Sequence, residues 1–189
     1  VLQLLPLQLI QGETSMSTAT TIPDPTALSA ALLLLRLIFG GMFLAHATQK
    51  LFGWLGGGGF EATVEGFARL GFWPARLQAA LAAGTELVAG ALILLGLLGP
   101  VGPALLVSVM LVAAVAVHPH GLMASQNGIE MPLLYAGAAT SLALIGYGNF
   151  SLDRVLGIAG MFTPAIALGM IAVFSMGAII SLVGRRQTA

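Results

Sequence analysis

The chain has 189 residues, 58% of them hydrophobic and 7% charged, with seven Lys and Arg against seven Asp and Glu and a mean hydropathy of +0.99. So little charge cannot cover a water-facing surface, since soluble domains carry roughly 25% charged residues, and a zero net charge excludes a basic field for nucleic acid. Cysteine is absent, which excludes disulfides, thiolate nucleophiles and iron–sulfur ligation by this chain.

Residues 1–25 read as an N-terminal extension. Val1 to Ile10 is apolar but lacks a positive leading region, and Gln3, Pro6 and Gln8 break it, so it is not read as a signal peptide; Met16 is an alternative start. A first membrane span is expected over Thr26 to Phe52, after Pro23-Asp24-Pro25, since about 20 apolar residues cross a bilayer. Gly53 to Gly59 breaks it and reads as a flexible hinge. From Phe60 to Gly71 the pattern turns amphipathic, with Phe60, Val64, Phe67 and Leu70 at helical spacing, which predicts a helix at the membrane interface beside Trp54, Phe72 and Trp73.

Ala75 to Leu98 is the expected second span. The turn Gly99-Pro100-Val101-Gly102-Pro103 is so short that the second and third spans form an antiparallel hairpin. The third runs from about Ala104 to Val117 and is ended by His118-Pro119-His120-Gly121, because Pro119 disfavours helix before it. Asn127-Gly128 is a turn, and Glu130-Met131-Pro132 opens a fourth span that ends near Tyr147. Ile158 to Val183 is an uncharged fifth span, followed by Arg185-Arg186 in a short basic tail, 185–189. With five spans, Arg154 stands against Lys50, Arg69, Arg76, Arg185 and Arg186 on the other side. Positive-inside bias then puts the N-terminus outside and the C-terminus in the cytoplasm.

An ionisable group inside a span costs about 2.5–3.5 kcal/mol, so each needs a partner or a wet cavity. The candidate polar cluster is Arg36, His46, Gln49 and Lys50 from the first span, Glu86 from the second, and His118, His120 and Glu130 around the third and fourth. His46 and Lys50 share a helix face. Charge complementarity pairs Glu86 with Arg36 or Lys50, and Glu130 with whichever cation remains. Such pairs also serve simply to lock helices in register. The histidine and glutamate types suit a metal, but their spacing matches no zinc pattern, and no metal site is assigned. His46 and His118 lack a haem attachment motif. Gly56 to Gly59 lacks the Lys-Ser/Thr of a phosphate loop. Gly84, Gly90 and Gly96 are read as sites of close helix packing.

Several stretches, in order, carry a resemblance: His46-Ala47-Thr48-Gln49-Lys50-Leu51-Phe52-Gly53; Glu86-Leu87-Val88-Ala89-Gly90 continuing to Leu94-Leu95-Gly96; His118-Pro119-His120-Gly121; Asn127-Gly128-Ile129-Glu130-Met131-Pro132-Leu133-Leu134; and Ser151-Leu152-Asp153. Across about Leu32 to Asp153 the chain resembles the DoxX family of small bacterial membrane proteins. The resemblance implies an all-α integral membrane bundle, with a four-helix core over 26–157 and an added helix over 158–184. It also implies a place in the bacterial inner membrane and an association with redox systems, some of them quinone-dependent. The extra helix departs from the family pattern and suggests a surface for other membrane subunits. Two functions are expected from this: an accessory subunit of a membrane redox assembly, or a quinone-linked oxidoreductase component in which Lys50 or His46 meets a quinone oxygen and Glu86 or Glu130 relays the proton. No intrinsic cofactor is expected, quinone apart. A transporter is a weaker third option, since no inverted repeat or broken helix pair is evident.

Overall fold

A computed structural model describes residues 24–186, so the readings on the N-terminal extension before Asp24 and on the last three residues of the basic tail lie outside the described residues. All described regular structure is helical, and the molecule is an integral membrane helical bundle. Its helices are α1 (Pro25–Phe52), α2 (Gly59–Arg69), α3 (Ala75–Leu95), α4 (Val101–Val112), α5 (Glu130–Ile145), α6 (Leu152–Val155) and α7 (Pro164–Val183). Of these, α1, α3 and α7 are long and apolar enough to cross a membrane.

The helix ends follow local chemistry. Asp24 caps α1, its carboxylate accepting from the Thr26 amide at 2.9 Å, and Gly53 closes it in a left-handed conformation. The second span stops at Leu95, three residues earlier than hydropathy suggests. Gly96 takes φ +65° there, and the Leu97 amide bonds back to the Leu92 carbonyl, a Schellman stop. The third span begins earlier than expected, at Val101 within the proline turn, and runs on as a π-helical turn over Ala113–Val117. The fifth begins later, at Pro164, because Thr163 caps it by accepting from the Ile166 amide; a 3₁₀ turn, Ala159–Met161, precedes it.

The bundle forms around α4, of which no residue from 101 to 114 is exposed. Helices α3, α5 and α7 pack directly on it, and α1 lies against α3. The α1–α3 contact is close: a methyl group on Gly40 would lie 2.8 Å from the Leu94 nitrogen, and one on Gly90 would lie 2.9 Å from the Leu44 nitrogen. Gly90 thus serves the packing expected of it. Gly84 does not, since its methyl would meet nothing within 4 Å, and Gly96 makes room for a side chain instead of a helix. The expected hinge at the end of α1 is a tight reversal in which Gly57 sits on the backbone of Gln49 with no space for a Cβ. The amphipathic helix is α2, which lays its half-buried Phe60, Val64 and Phe67 toward α1 and α3.

Outside, the bundle is apolar. Leu34, Ile38, Leu77, Leu81, Leu133, Val173 and Ile180 are all more than half exposed, a surface that hydrocarbon solvates and water does not. The chain is a membrane protein.

Candidate functional site

The polar residues separate into two centres at opposite ends of the bundle. At one end Arg36 is 2% exposed and is held entirely by backbone carbonyls. Its Nε donates to the Ile93 carbonyl at 3.0 Å, Nη2 to Leu94 at 2.9 Å, and Nη1 to Phe150 at 2.6 Å and Tyr147 at 3.3 Å. Ile93 and Leu94 lie in the last turn of α3, where carbonyls lack intrahelical donors and the helix dipole is negative, so the guanidinium serves as that helix's cap. Asp153, also 2% exposed, completes the end of the bundle. Its carboxylate accepts from the amides of Leu98 at 2.8 Å and Gly99 at 2.6 Å, in the α3–α4 turn.

The expected pairing of Glu130 with the remaining cation is therefore corrected. Arg36 has no carboxylate within ion-pair distance among the described residues. Glu130 lies at the other end of the bundle, where it accepts from the Ala124 amide at 2.7 Å and organises the loop before α5. Backbone carbonyl oxygens at a helix end satisfy the Arg36 guanidinium without an ion pair, and the buried Asp153 is taken by the amides of Leu98 and Gly99 instead.

At the other end Lys50, on the last turn of α1, donates to Oε1 of Glu86 on α3; the Lys50 side chain is 33% exposed and that of Glu86 4%. This pair opens onto a cavity of about 810 Å³. His46, Lys50, Glu86 and His118 all line it, so four of the eight expected cluster residues meet there. Arg36, Gln49, His120 and Glu130 do not line it. Gln49 instead ties the end of α1 to its following turn, donating to the Leu55 carbonyl at 3.2 Å, and His120 is exposed in the loop before α5.

The remaining wall is mostly apolar: Phe43, Leu105, Val109, Val112 and Phe67, with Tyr135 from α5 and Phe174, Gly177 and Ala178 from α7. Tyr135 packs edge-on against Phe43 at 5.4 Å between ring centroids and so joins α5 to α1. Tyr135, Gln78, Thr85, Ser108 and Ser181 escaped sequence reasoning because an uncharged polar residue in an apolar helix carries no signal that it faces a cavity and not a neighbour. Met42, Leu81, Val117 and Met131 line the same cavity and are 42%, 55%, 45% and 44% exposed, so it is open at the bundle surface. The π turn at the end of α4 contributes Ala113 and Val117; such turns widen a helix and recur at functional sites.

Two amides orient the histidines. Gln49 donates through Nε2 to Leu55, which leaves its Oε1 to face Nδ1 of His46 at 3.2 Å. Asn127 donates through Nδ2 to the Val117 carbonyl at 3.0 Å, which leaves its Oδ1 to face Nδ1 of His118 at 3.1 Å. In each case an amide oxygen faces the ring, which assigns a proton to Nδ1. Among the described residues no group of three or more His, Asp and Glu is arranged to hold a metal ion.

Comparison with known proteins agrees with this architecture. Residues 31–119 match the DoxX family, a stretch that takes in nearly all of α1, all of α2 to α4, and the Lys50–Glu86 pair, while α5 and α7 fall outside it. No curated protein and no solved structure matches the chain. The first two stretches quoted from the sequence lie within the match and the last two beyond it, and the match over residues 31–119 supports a DoxX family protein.

Proposed function

We propose that this protein is a multi-pass protein of the bacterial cytoplasmic membrane that binds a quinone-type lipophilic molecule in the cavity between α1, α3, α4, α5 and α7, as a component of a membrane redox system. The observation that carries the reading is a cavity of ligand size with a buried Lys50–Glu86 pair in its wall. Ligand pockets typically span about 300–1,000 Å³, with apolar walls and few polar groups, and this one combines both with exposed apolar wall residues such as Met42 and Leu81. A buried ion pair is weak evidence of stability by itself, because desolvation offsets much of the attraction; beside a cavity it is a proton donor and acceptor in reach of a ligand.

A bound quinone would supply the exchange of two electrons and two protons. The chain's own residues do the rest: aromatic and aliphatic side chains exclude water, Lys50 offers hydrogen bonds to a ligand oxygen, and Glu86 holds or accepts a proton. The Lys50 side chain, one-third exposed, stands between buried Glu86 and the end of the bundle.

Saturable binding of a decyl-chain benzoquinone, in either redox state, by the detergent-purified chain tests this reading. Gly177→Leu, at a position where an added Cβ meets nothing within 4 Å, fills the cavity and is expected to weaken binding at least about tenfold. Lys50→Met is expected to weaken it as well. Absence of saturable binding of both redox forms removes the proposal.

A second reading, an accessory subunit of a larger assembly, draws on the outer face of α7, where Val173, Ile180 and Val183 are 69%, 67% and 80% exposed. Native mass spectrometry from membranes distinguishes it: a stable species without partner proteins counts against it.

A further inference from the structure

We infer that Arg185 and Arg186, which follow α7, hold the headgroup phosphate of an anionic phospholipid against the α2–α3 turn. This site is separate from the cavity and stands whether or not the cavity binds a quinone.

Arg186 lies over the ring of Trp73 at 4.1 Å and Arg185 over that of Phe72 at 5.4 Å, so two guanidinium groups stand on two consecutive aromatic residues. The backbone fixes this placement. The Arg186 amide donates to the Gly71 carbonyl at 2.7 Å, and Gly71, at φ +82°, has no room for a Cβ beside the Arg186 carbonyl. A guanidinium lying over a ring keeps its N–H donors in its own plane, where an acceptor can still reach them. Arg185 commits only Nε, to the Leu182 carbonyl at 3.3 Å. Neither arginine has a carboxylate within ion-pair distance among the described residues, and the acidic residues of α2 are engaged elsewhere, Glu61 with Arg76 and Glu65 with Arg69. Two neighbouring guanidinium groups repel each other unless an anion bridges them.

The position along the bundle names that anion. Only Gly184 separates Arg185 from Val183, which is 80% exposed, and Ile180 in the turn before is 67% exposed. Such residues lie in hydrocarbon, so the pair stands where acyl chains end and phosphates begin. Trp73 is 58% exposed and brings an indole N–H to the same level, as interfacial tryptophans do. A phospholipid answers each of these features. Its phosphate accepts from both guanidinium groups, a pairing that arginine geometry favours, its ester oxygens accept from the indole, and its chains join the hydrocarbon around α7. A zwitterionic headgroup carries its own cation beside the phosphate, so a headgroup of net negative charge is preferred.

The chain has two tryptophans, and in Trp54→Phe the remaining one, Trp73, reports on the site. This variant is reconstituted in phosphatidylcholine vesicles and titrated with phosphatidylglycerol whose chains carry bromine, a contact quencher of tryptophan. Brominated phosphatidylcholine is the reference. The expected result is a preference of about tenfold for phosphatidylglycerol at Trp73, weakening as salt is raised. Arg185→Gln combined with Arg186→Gln is expected to reduce it to within about twofold. Arg154→Gln, which removes an exposed arginine at the other end of the bundle, is expected to leave it unchanged, as is an excess of inorganic phosphate. Equal quenching by the two lipids in Trp54→Phe overturns the inference without any arginine variant, so a folding defect in those variants leaves the test intact. A preference that survives loss of both arginines overturns it, and so does an equal loss in Arg154→Gln, which would report overall charge and not this site. Displacement by inorganic phosphate overturns it in favour of a soluble anion.

Discussion

At the scale of single residues, the buried Arg36 and the half-buried Lys50 show two solutions to the cost of a cation in an apolar helix. Lys50 meets a carboxylate, and Arg36 meets four carbonyls. The first solution was legible, because opposite charges in neighbouring spans have few alternatives in hydrocarbon. The second was not: every residue supplies a carbonyl, and only the fold decides which carbonyls lack a helical donor and point at a guanidinium. Glu130, assigned by the same charge argument, turned out to cap a loop. Arg36→Met should therefore act on stability. Four carbonyls lose a charged donor, a cost of at least about 3 kcal/mol, read as a fall of roughly 6–12 °C in melting temperature. Ligand affinity of the protein that remains folded should be unchanged, because Arg36 does not line the cavity. Lys at the same position restores the charge but not the planar fork, and should recover only part of the loss.

At the scale of elements, hydropathy located the apolar helices α1, α3, α4, α5 and α7, while local stereochemistry set where each one stops. Gly96 halts α3 before its apolar run ends, and Thr163-Pro164 starts α7 after its own has begun. Those capping signals stood in the sequence, but a window of apolar residues passes over them. Glycines show the limit of such reading most clearly. Gly84 and Gly90 lie six residues apart on one helix and look alike in sequence, yet only Gly90 faces another backbone. Gly90→Ala is expected to push α1 and α3 apart and cost about 1–3 kcal/mol. Gly84→Ala should raise stability by up to about 1 kcal/mol through helix propensity. Thermal unfolding of the two variants in one detergent checks both signs. The cavity was beyond sequence reasoning for a similar reason: it is enclosed by helices distant in the chain, and one wall belongs to α7, where uncharged residues gave no hint of an inward role.

At the scale of the whole molecule, charge is distributed unevenly between the two ends. Lys50, Arg69, Arg76, Arg185 and Arg186 lie at the cavity end, and Arg154 and the buried Arg36 lie at the other. Around the cavity end, Arg186 stacks 4.1 Å above the ring of the exposed Trp73, and its amide bonds to the Gly71 carbonyl at 2.7 Å, fastening the end of α7 to the α2–α3 turn. Positive-inside bias then predicts that the cavity end faces the cytoplasm. Because the chain has no cysteine, single introduced thiols report without background. Trp54→Cys should be shielded from an impermeant thiol reagent in intact spheroplasts, and Gly160→Cys should react; the reverse pattern inverts the topology. The clamp of Arg36 and Asp153 has one more effect. It ties α1, the α3–α4 turn and the segment before α7 into a stiff base, whereas the opposite rim is joined chiefly by side chains around an empty volume. Thermal breathing should therefore concentrate at that rim, with backbone amides near His118 exchanging with deuterium well before those near Ile93. A ligand bound as proposed would then enter and leave at that rim while the foot of the bundle stays shut.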